Sequence, residues 1–578
     1  MRPEIRRRRL PGGPALAGVH PVLDRVYRAR GIREEAQLDN GLPGLAPASE
    51  LGGLPAASEL LADAVIAGRR IMFIGDFDAD GATSVALGVL ALRRMGVAAP
   101  GYLVPNRFEF GYGLTTPIVD LAAEEGAEVL ITVDNGISSL DGVAAARARG
   151  MQVVVTDHHL PGPALPAADA IVNPNLPDDP FPSKHLAGVG VIFYVMAGLR
   201  QALRHRGWFD GPGPREPALA RLLDLVALGT VADVVPMDHN NRILVEQGIR
   251  RIRADHCRPG LRALLTVAGR DPRQVTASDL AFAAGPRLNA AGRLEDMSVG
   301  IECLLAEETG CAMALAERLD TLNRERRSIE ADMQAQALAD LEQRLPDSDG
   351  PLPAALCLHD PAWHQGVVGI LAARLKERFH RPTIILAPAG DGVLKGSGRS
   401  IPGLHLRDVL ARVDSRHPGL ISRFGGHAAA AGLSLPESAV EAFRDAFGDA
   451  VEAMIEPDVL SPEILTDGPL EDEELSLETA SAIHGGGPWG QGFPEPVFHN
   501  RFRVLERRVV GGRHLKLRLS PADGHRPVLD AIAFGALDRG WDQAGERVEA
   551  LYRLGLNHWD GRVRVQLVVE QLFPDRTT

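Results

Sequence analysis

Three short segments hold the residues best able to do chemistry. Gly75-Asp76-Phe-Asp78-Ala-Asp80-Gly81 spaces three carboxylates two residues apart. Val133-Asp134-Asn135-Gly136 adds one more, and Thr156-Asp157-His158-His159 adds a carboxylate and two imidazoles. A fourth source is Asp233, which closes the apolar run Leu228-Gly-Thr-Val-Ala. Asp and His together form a mixed oxygen and nitrogen ligand set. Carboxylates gathered within a few ångströms repel one another and resist ionisation unless cations are present. Divalent ions remove that obstacle, and oxygen-rich sites with some imidazole suit Mn²⁺ and tolerate Mg²⁺. The ligands suffice for two ions, which in two-metal phosphoryl-cleaving sites lie roughly 3.5–4 Å apart. Such a pair activates water, stabilises a leaving oxygen and neutralises a phosphate.

The elements that must position these groups are readable. Arg70 to Gly75, Glu128 to Val133 and Met151 to Val155 are short apolar runs, predicted as buried strands. Helical spacing from Ala82 to Met95 and an Ala-rich stretch at 139–149 lie between them. Strands alternating with helices imply βαβ units and a parallel sheet with helices on both faces. Each chemical motif directly follows one of these strands, and an open parallel sheet binds its ligands at the carboxyl ends of its strands. A lone DxD or His-His pair is ordinarily a solvated turn. Several of them converging on one crevice make a metal site.

Farther along, Met297 to Leu345 lacks proline and is rich in Ala, Leu, Glu and Arg, predicting helices that bridge two halves. Leu356 to Gly432 is a second α/β region, with strands at 355–358 and 383–387. Phe502–Val510, His514–Ser520, Val528–Phe534, Arg547–Leu556 and Arg562–Val569 predict five strands of a small barrel of the OB type. The expected organisation is an N-terminal arm at 1–65, a catalytic domain at 66–240, a helical region at 241–349, a smaller α/β domain at 350–455 and the barrel at 460–578. The Arg cluster in MRPEIRRRRL is expected to be part of a solvated arm.

Composition bounds the remaining choices. The 578 residues are 45% hydrophobic and 24% charged, which excludes a mostly disordered or fibrous chain. No run approaches the ~18 apolar residues of a membrane span. Cys257, Cys303, Cys311 and Cys357 form no CxxC pair, so neither a zinc ribbon nor a disulfide framework is expected, and a reducing cytoplasm fits. A net charge of −13 argues only weakly against nucleic acid, because a basic groove can sit on an acidic protein. With only four lysines, phosphate contacts fall to arginine.

The set DFDADG, VDNG and TDHH resembles the DHH phosphoesterase superfamily. NRFEFGYGL at 106–114, SKHLAGVG at 183–190, GTVADVVP at 229–236, GPRLNAAGR at 285–293, WHQGVVGI at 363–370, KGSGRS at 395–400 and FGGHAAAAG at 424–432 extend the similarity to its RecJ family, over residues ~15–575. The resemblance implies a single-strand-specific 5′→3′ DNA exonuclease that releases 5′-mononucleotides in repair and recombination. It also implies DHH and DHHA1 domains joined by long helices, a C-terminal OB-fold, and two Mn²⁺ or Mg²⁺ ions.

By the same resemblance Asp76, Asp78, Asp80, Asp134, His158 and Asp233 are metal ligands. Asp76 is alternatively a support behind them, Asp134 is expected to bridge, and Asp224 is the weaker rival to Asp233. His159 faces the scissile phosphate, and Asp157 orients the histidine pair. Ser397 and Arg399 hold the 5′ phosphate, and Gly426 and His427 lie against the substrate. Arg107, Arg287, Asn289 and Arg293 are candidate contacts to the DNA backbone. Trp363 is either a cleft residue or core. A channel between the DHH and DHHA1 halves, too narrow for duplex, would select single strands. The basic strip from Arg501 to Arg518 would hold the trailing strand. A single-strand-binding protein and a RecQ-type helicase are the implied partners, and a monomer is expected by analogy. Two rivals stay open: a DHH hydrolase of pyrophosphate, cyclic dinucleotides or short oligonucleotides, and an inactive single-strand-binding scaffold. The long bridging helices and OB-like tail argue against the first, and the complete ligand set against the second.

Overall fold

The computed structural model describes residues 3–106, 112–344, 352–522, 527–559 and 561–575. The chain forms two compact units, one of Arg7–Asp320 with Leu465–Thr578 and one of Met1–Arg6 with Thr321–Ile464.

The first unit is organised by a parallel sheet. Its strands are β1 (Ile71–Ile74), β2 (Gly101–Leu103), β3 (Val129–Val133), β4 (Gln152–Thr156) and β5 (Ala170–Val172), in the order β2-β1-β3-β4-β5. Every residue of β1 and β3 is buried, as the uninterrupted apolar runs require when helices cover both faces. Side chains alternate across β1. Met72 and Ile74 join Leu130, Val153 and Val155 in the core of one face, while Phe73 packs on the other against Gly88 of helix α1 (Ala79–Arg94). Helices α2 (Gly188–His205) and α3 (Leu223–Ala232) pack on α1. From β1 the chain crosses to β2 on one side, then to β3 on the other. The strand order therefore reverses between β1 and β3, where open sheets bind ligands. The edge strands β2 and β5 are only three residues long, too short to stand out in the sequence.

The tail of this unit is a closed barrel. Strands β11 (Phe498–Val510), β12 (His514–Pro521), β13 (Leu529–Ala533), β14 (Arg547–Trp559) and β15 (Arg562–Pro574) close in the order β11-β12-β13-β15-β14, with β13 and β15 parallel. All five strands expected from the sequence are present. In the basic strip Arg501, Arg503, Arg508, Arg513 and Arg518 are exposed. Arg507 is instead committed to the barrel, donating to the carbonyls of Asp542, Ala544 and Gly545.

Helix α4 (Thr309–Arg344) carries the chain into the second unit. There β6 (Leu356–His359), helix α5 (Val368–Phe379), β7 (Thr383–Pro388), β8 (Val393–Arg399), β9 (Arg423–Gly426) and β10 (Ala430–Pro436) form a sheet of order β9-β10-β8-β7-β6. Only β6 and β7 are parallel; the remaining pairs are antiparallel.

Arg6, Arg7 and Arg9 of the N-terminal Arg cluster are exposed as expected, but farther along the segment read as an arm at 1–65 the chain packs. Residues 21–29 form a helix that buries Val22, Leu23, Val26 and Tyr27. Arg30 makes a buried ion pair with Asp467 at 2.7 Å. Tyr27 donates to the Gly486 carbonyl (2.7 Å) and stacks on Trp489 and Phe493. The partners of this helix lie more than 430 positions away, so no local pattern could reveal them. The same contacts give the Gly/Trp loop at 485–493 a structural role. It is a clamp that stacks aromatics beneath Arg30 and Arg242 and accepts the Met237 amide at Gln491.

Candidate metal centre

The acidic motifs meet at the carboxyl ends of β1, β3 and β4. Donor atoms of Asp76, Asp78 and Asp134 lie within 4.8 Å of one another, as do those of Asp80, His158 and Asp233 and those of Asp134, His158 and His159. Asp134 and His158 each belong to two of these groups, and of the two only the Asp134 carboxylate, with two oxygens, is able to serve two ions.

Local structure explains each position. Asp78 caps α1, its carboxylate accepting the Gly81 amide at 3.0 Å. Asp80, buried in the first turn, accepts the Gly188 and Val189 amides at 2.6 and 2.9 Å, so it sits on the positive end of α2. Gly188 is required there, because an added Cβ would stand 2.6 Å from the Asp134 side chain. Asp134 adopts a left-handed backbone (φ 62°), as does Val234 (φ 61°) directly after Asp233. Left-handed backbone at a β-branched residue is strained, and it costs of order 1–3 kcal/mol where function requires it. Asp233 lies at the end of helix α3, not after a sheet strand.

Two buried atoms carry the most information. Asp134 Oδ1 and His158 Nε2 have no hydrogen-bond partner, yet lie 2.9 Å apart. Leaving both unsatisfied is costly unless something binds between them and their neighbours. His158 is pushed down to about 4, first by burial and then by His159, so its nitrogen is a neutral donor at ordinary pH. Burial, then mutual repulsion among the carboxylates, raises Asp80 and Asp134 well above the usual range. Burial and Asp78 lift Asp233 to about 7. The bare cluster cannot carry its own charge, and divalent cations fit this donor set.

His159 is held differently. Its Nδ1 lies 2.7 Å from Asp157 Oδ1, and Asp157 also accepts the amides of Ile137, His158 and His159. These bonds outweigh burial and keep Asp157 ionised below the usual range. Burial would lower His159, but the hydrogen bond and charge of Asp157 raise it to about 9. His159 is therefore a cationic donor with a partly exposed ring, beside an acidic cluster.

Two supports escaped the sequence reading. Asn135 donates to the carbonyls of Ile74 (3.0 Å) and Val133 (2.8 Å), tying β1 to β3 at the crevice. The Tyr112 hydroxyl donates to the Asp134 carbonyl at 3.2 Å and lies 3.4 Å from His159 Nδ1. Tyr112 falls within a motif already noted, but spacing gave no hint of its role.

Other expected residues are placed elsewhere. Asp224 is buried and gripped through two nitrogens by Arg258, away from the cluster. Arg287 is in a buried ion pair with Asp320 (2.7 Å) and donates to the Ala283 carbonyl. Asn289 accepts the Ala79 amide at 2.8 Å, and Gly292 packs so closely on Phe77 that an added Cβ would overlap its carbonyl. The GPRLNAAGR segment thus braces the DFDADG loop. Arg293 is half-buried on the same helix. Arg107 lies outside the described residues.

In the second unit Ser397 and Arg399 alternate on β8 and so share a face. Arg399 donates to Ser397 Oγ at 3.0 Å. An added Cβ at Gly369, in the first turn of α5, would lie 3.0 Å from Ser397 Oγ and 3.1 Å from Arg399 Nη2. A hydroxyl, a guanidinium and a helix N-terminus therefore face one another, the donor set of a phosphate site. Gly426 ends β9 with φ 141°, and His427 follows it, exposed. Trp363 is core, its Nε1 donating to Gln336 at 2.8 Å.

Comparison with known proteins follows this division. Residues 70–230 match the DHH family N-terminal domain, 353–453 the DHHA1 domain and 466–571 the RecJ OB domain. The single-stranded-DNA-specific exonuclease RecJ of Dickeya dadantii is 57% identical over 554 residues, covering 96% of each chain. The crystal structure of RecJ from Thermus thermophilus with Mn²⁺ is similar at TM-score 0.79 and 31% identity, over 97% of this chain and 76% of that one. The same protein with Mg²⁺ gives TM-score 0.72 and 29% identity, over 97% and 75%.

Proposed function

The chain belongs to the RecJ family of single-stranded-DNA-specific exonucleases, and from that membership we propose that it removes 5′-mononucleotides from the 5′ end of single-stranded DNA by two-metal hydrolysis. The observation that carries this reading is the pair of buried, unpartnered donors, Asp134 Oδ1 and His158 Nε2, at the centre of the carboxylate cluster.

Asp76, Asp78, Asp80, Asp134, His158 and Asp233 would hold two Mn²⁺ or Mg²⁺ ions. When bound, the ions supply Lewis acidity toward the phosphate and a lowered water pKa. The protein residues do the rest. Asp157 keeps His159 protonated, and His159 donates to a phosphate oxygen as negative charge grows there. The α2 N-terminus and Asn135 keep Asp80 and the strand ends fixed while charge moves. Ser397, Arg399 and the start of α5 take the terminal phosphate, which sets the 5′→3′ direction. Gly426 and His427 lie beside the strand. The exposed arginines of β11 and β12 attract the trailing backbone.

No helix among the described residues is long and apolar enough to cross a membrane. We place the enzyme in the cytoplasm, acting in repair and recombination beside a single-strand-binding protein and a RecQ-type helicase.

The test is incubation with Mn²⁺ and a single strand labelled at its 3′ end, with and without a 5′ phosphate, beside a blunt duplex. Stepwise shortening of the single strand with the duplex spared is expected. Cleavage limited to oligonucleotides of a few residues would identify a small-substrate hydrolase instead, and binding without cleavage an inactive scaffold.

A further inference from the structure

A large cleft in the first unit lies away from the metal centre. It has a volume of about 580 Å³ and is lined by Arg94, Arg221, Arg251, Arg258, His256 and Cys257, with Leu90, Leu304 and Leu305 on its apolar side. That size falls within the ~300–1,000 Å³ of small-molecule sites. Helices α1 and α3 both run from the metal cluster to this cleft. Asp80 and Arg94 stand at opposite ends of α1, about 21 Å apart at 1.5 Å per residue. Asp233 and Asp224 stand at opposite ends of α3, about 13 Å apart.

The charge in the cleft is unusual for a chain of net −13. Four guanidinium groups face only two carboxylates, Asp224 and Glu307, leaving an excess of two positive charges with His256 neutral. Asp224 is spent on Arg258, and Arg251 bonds to Gln247. Among the described residues no hydrogen bond or ion pair engages the side chains of the exposed Arg94 and Arg221; the Arg221 backbone amide donates to the Ala218 carbonyl. Burial, then repulsion from Arg258, pulls the Arg94 pKa down, and burial does the same to Arg251. A bound anion would relieve both. A phosphate monoester carries about −1.5 to −2 charge at neutral pH, which matches the excess. Arginine is suited to a forked grip on its oxygens, while the leucine wall offers a surface for a planar or apolar group. Burial pushes the Cys257 thiol up to about 12, so the thiol in the cleft is a poor nucleophile.

We propose that this cleft is a nucleoside-monophosphate binding site, separate from the metal centre, in which Arg94 and Arg221 bind the phosphate and Leu90, Leu304 and Leu305 receive the base. The proposal does not depend on the reaction assigned above.

The test uses the full chain in chelator, titrated calorimetrically with dAMP, deoxyadenosine and orthophosphate. Because Ser397 and Arg399 form a second phosphate grip, Arg399→Ala is measured in parallel. The expected result is a dAMP site that survives Arg399→Ala and weakens at least about tenfold in Arg94→Ala/Arg221→Ala, the scale of a lost charged hydrogen bond. Deoxyadenosine should not bind, and orthophosphate should bind more weakly than dAMP. The Arg94→Lys/Arg221→Lys variant should keep most of the affinity, which separates loss of charge from loss of fold. Undiminished dAMP binding in the alanine double variant, or orthophosphate binding as tightly as dAMP, overturns the proposal.

Discussion

At the crevice where β1, β3 and β4 end, carboxylates from positions 76 to 233 are pressed together, and the single His159 imidazolium beside them cannot balance them all. On β8, by contrast, Ser397 and Arg399 stand two residues apart, already hydrogen-bonded to each other and set against the start of α5. Topology assembles the first site, and its electrostatics stay unfavourable until cations arrive. The second is made by one strand and one helix, and its two side chains are already hydrogen-bonded to each other. The crevice should therefore answer strongly to metal and to the loss of any one ligand, and the β8 grip only to the chemistry of the substrate end.

The largest break in this contrast is Asp134→Asn. Loss of the shared carboxylate should cost several kcal/mol of metal-borne stabilisation, or about a thousandfold in rate, and abolish the rise in melting temperature on adding Mn²⁺. Rate assays on single-stranded DNA paired with melting curves measure both. Asp157→Asn should cost about 10–100-fold in rate, as for other residues that orient a metal-site group. It should also bring His159 down from about 9 toward its ordinary 6.5, read by NMR titration of the ring.

Arg399→Ala should raise KM for 5′-phosphorylated strands by about tenfold or more, leave kcat near normal, and leave the Mn²⁺ response intact. A lost Mn²⁺ response in Arg399→Ala would erase the contrast.

The smallest expected effect concerns pH. Asp233 rises from 3.8 to about 7 on folding, so the stability it contributes is complete below 3.8 and gone above about 7. His159 rises from 6.5 to about 9, so its contribution is complete below 6.5 and gone above about 9. Both make the metal-free protein less stable as pH climbs. The gain in melting temperature on adding Mn²⁺ should thus be larger by a few degrees near pH 8 than near pH 6.

Much of this was legible because buried parallel strands leave unbroken apolar runs, and the motifs follow those runs directly. Ile71–Ile74, Val129–Val133 and the five barrel strands were marked by pattern alone. Arg287 and Asn289 show where that reading stops. Both looked like contacts for nucleic acid, yet one is paired with Asp320 and the other holds the Ala79 amide. An arginine looks the same in sequence whether it meets a phosphate or a carboxylate. The helix at 21–29 was missed for a related reason, since its stabilising rings come from the loop at 489–493.

Residue types and their local pattern were enough to say which groups could bind metal, which strands carry them and which family the chain resembles. Folding in three dimensions settled that Asp80 rests on the α2 amides, that Asp134 and His158 each bring a buried, unpartnered atom to within 2.9 Å of the other, that Asp157 charges His159, and that four arginines surround one cleft. Each of those depends on distances between groups far apart in the chain, and electrostatic energy depends on distance and burial, which spacing along a sequence does not specify.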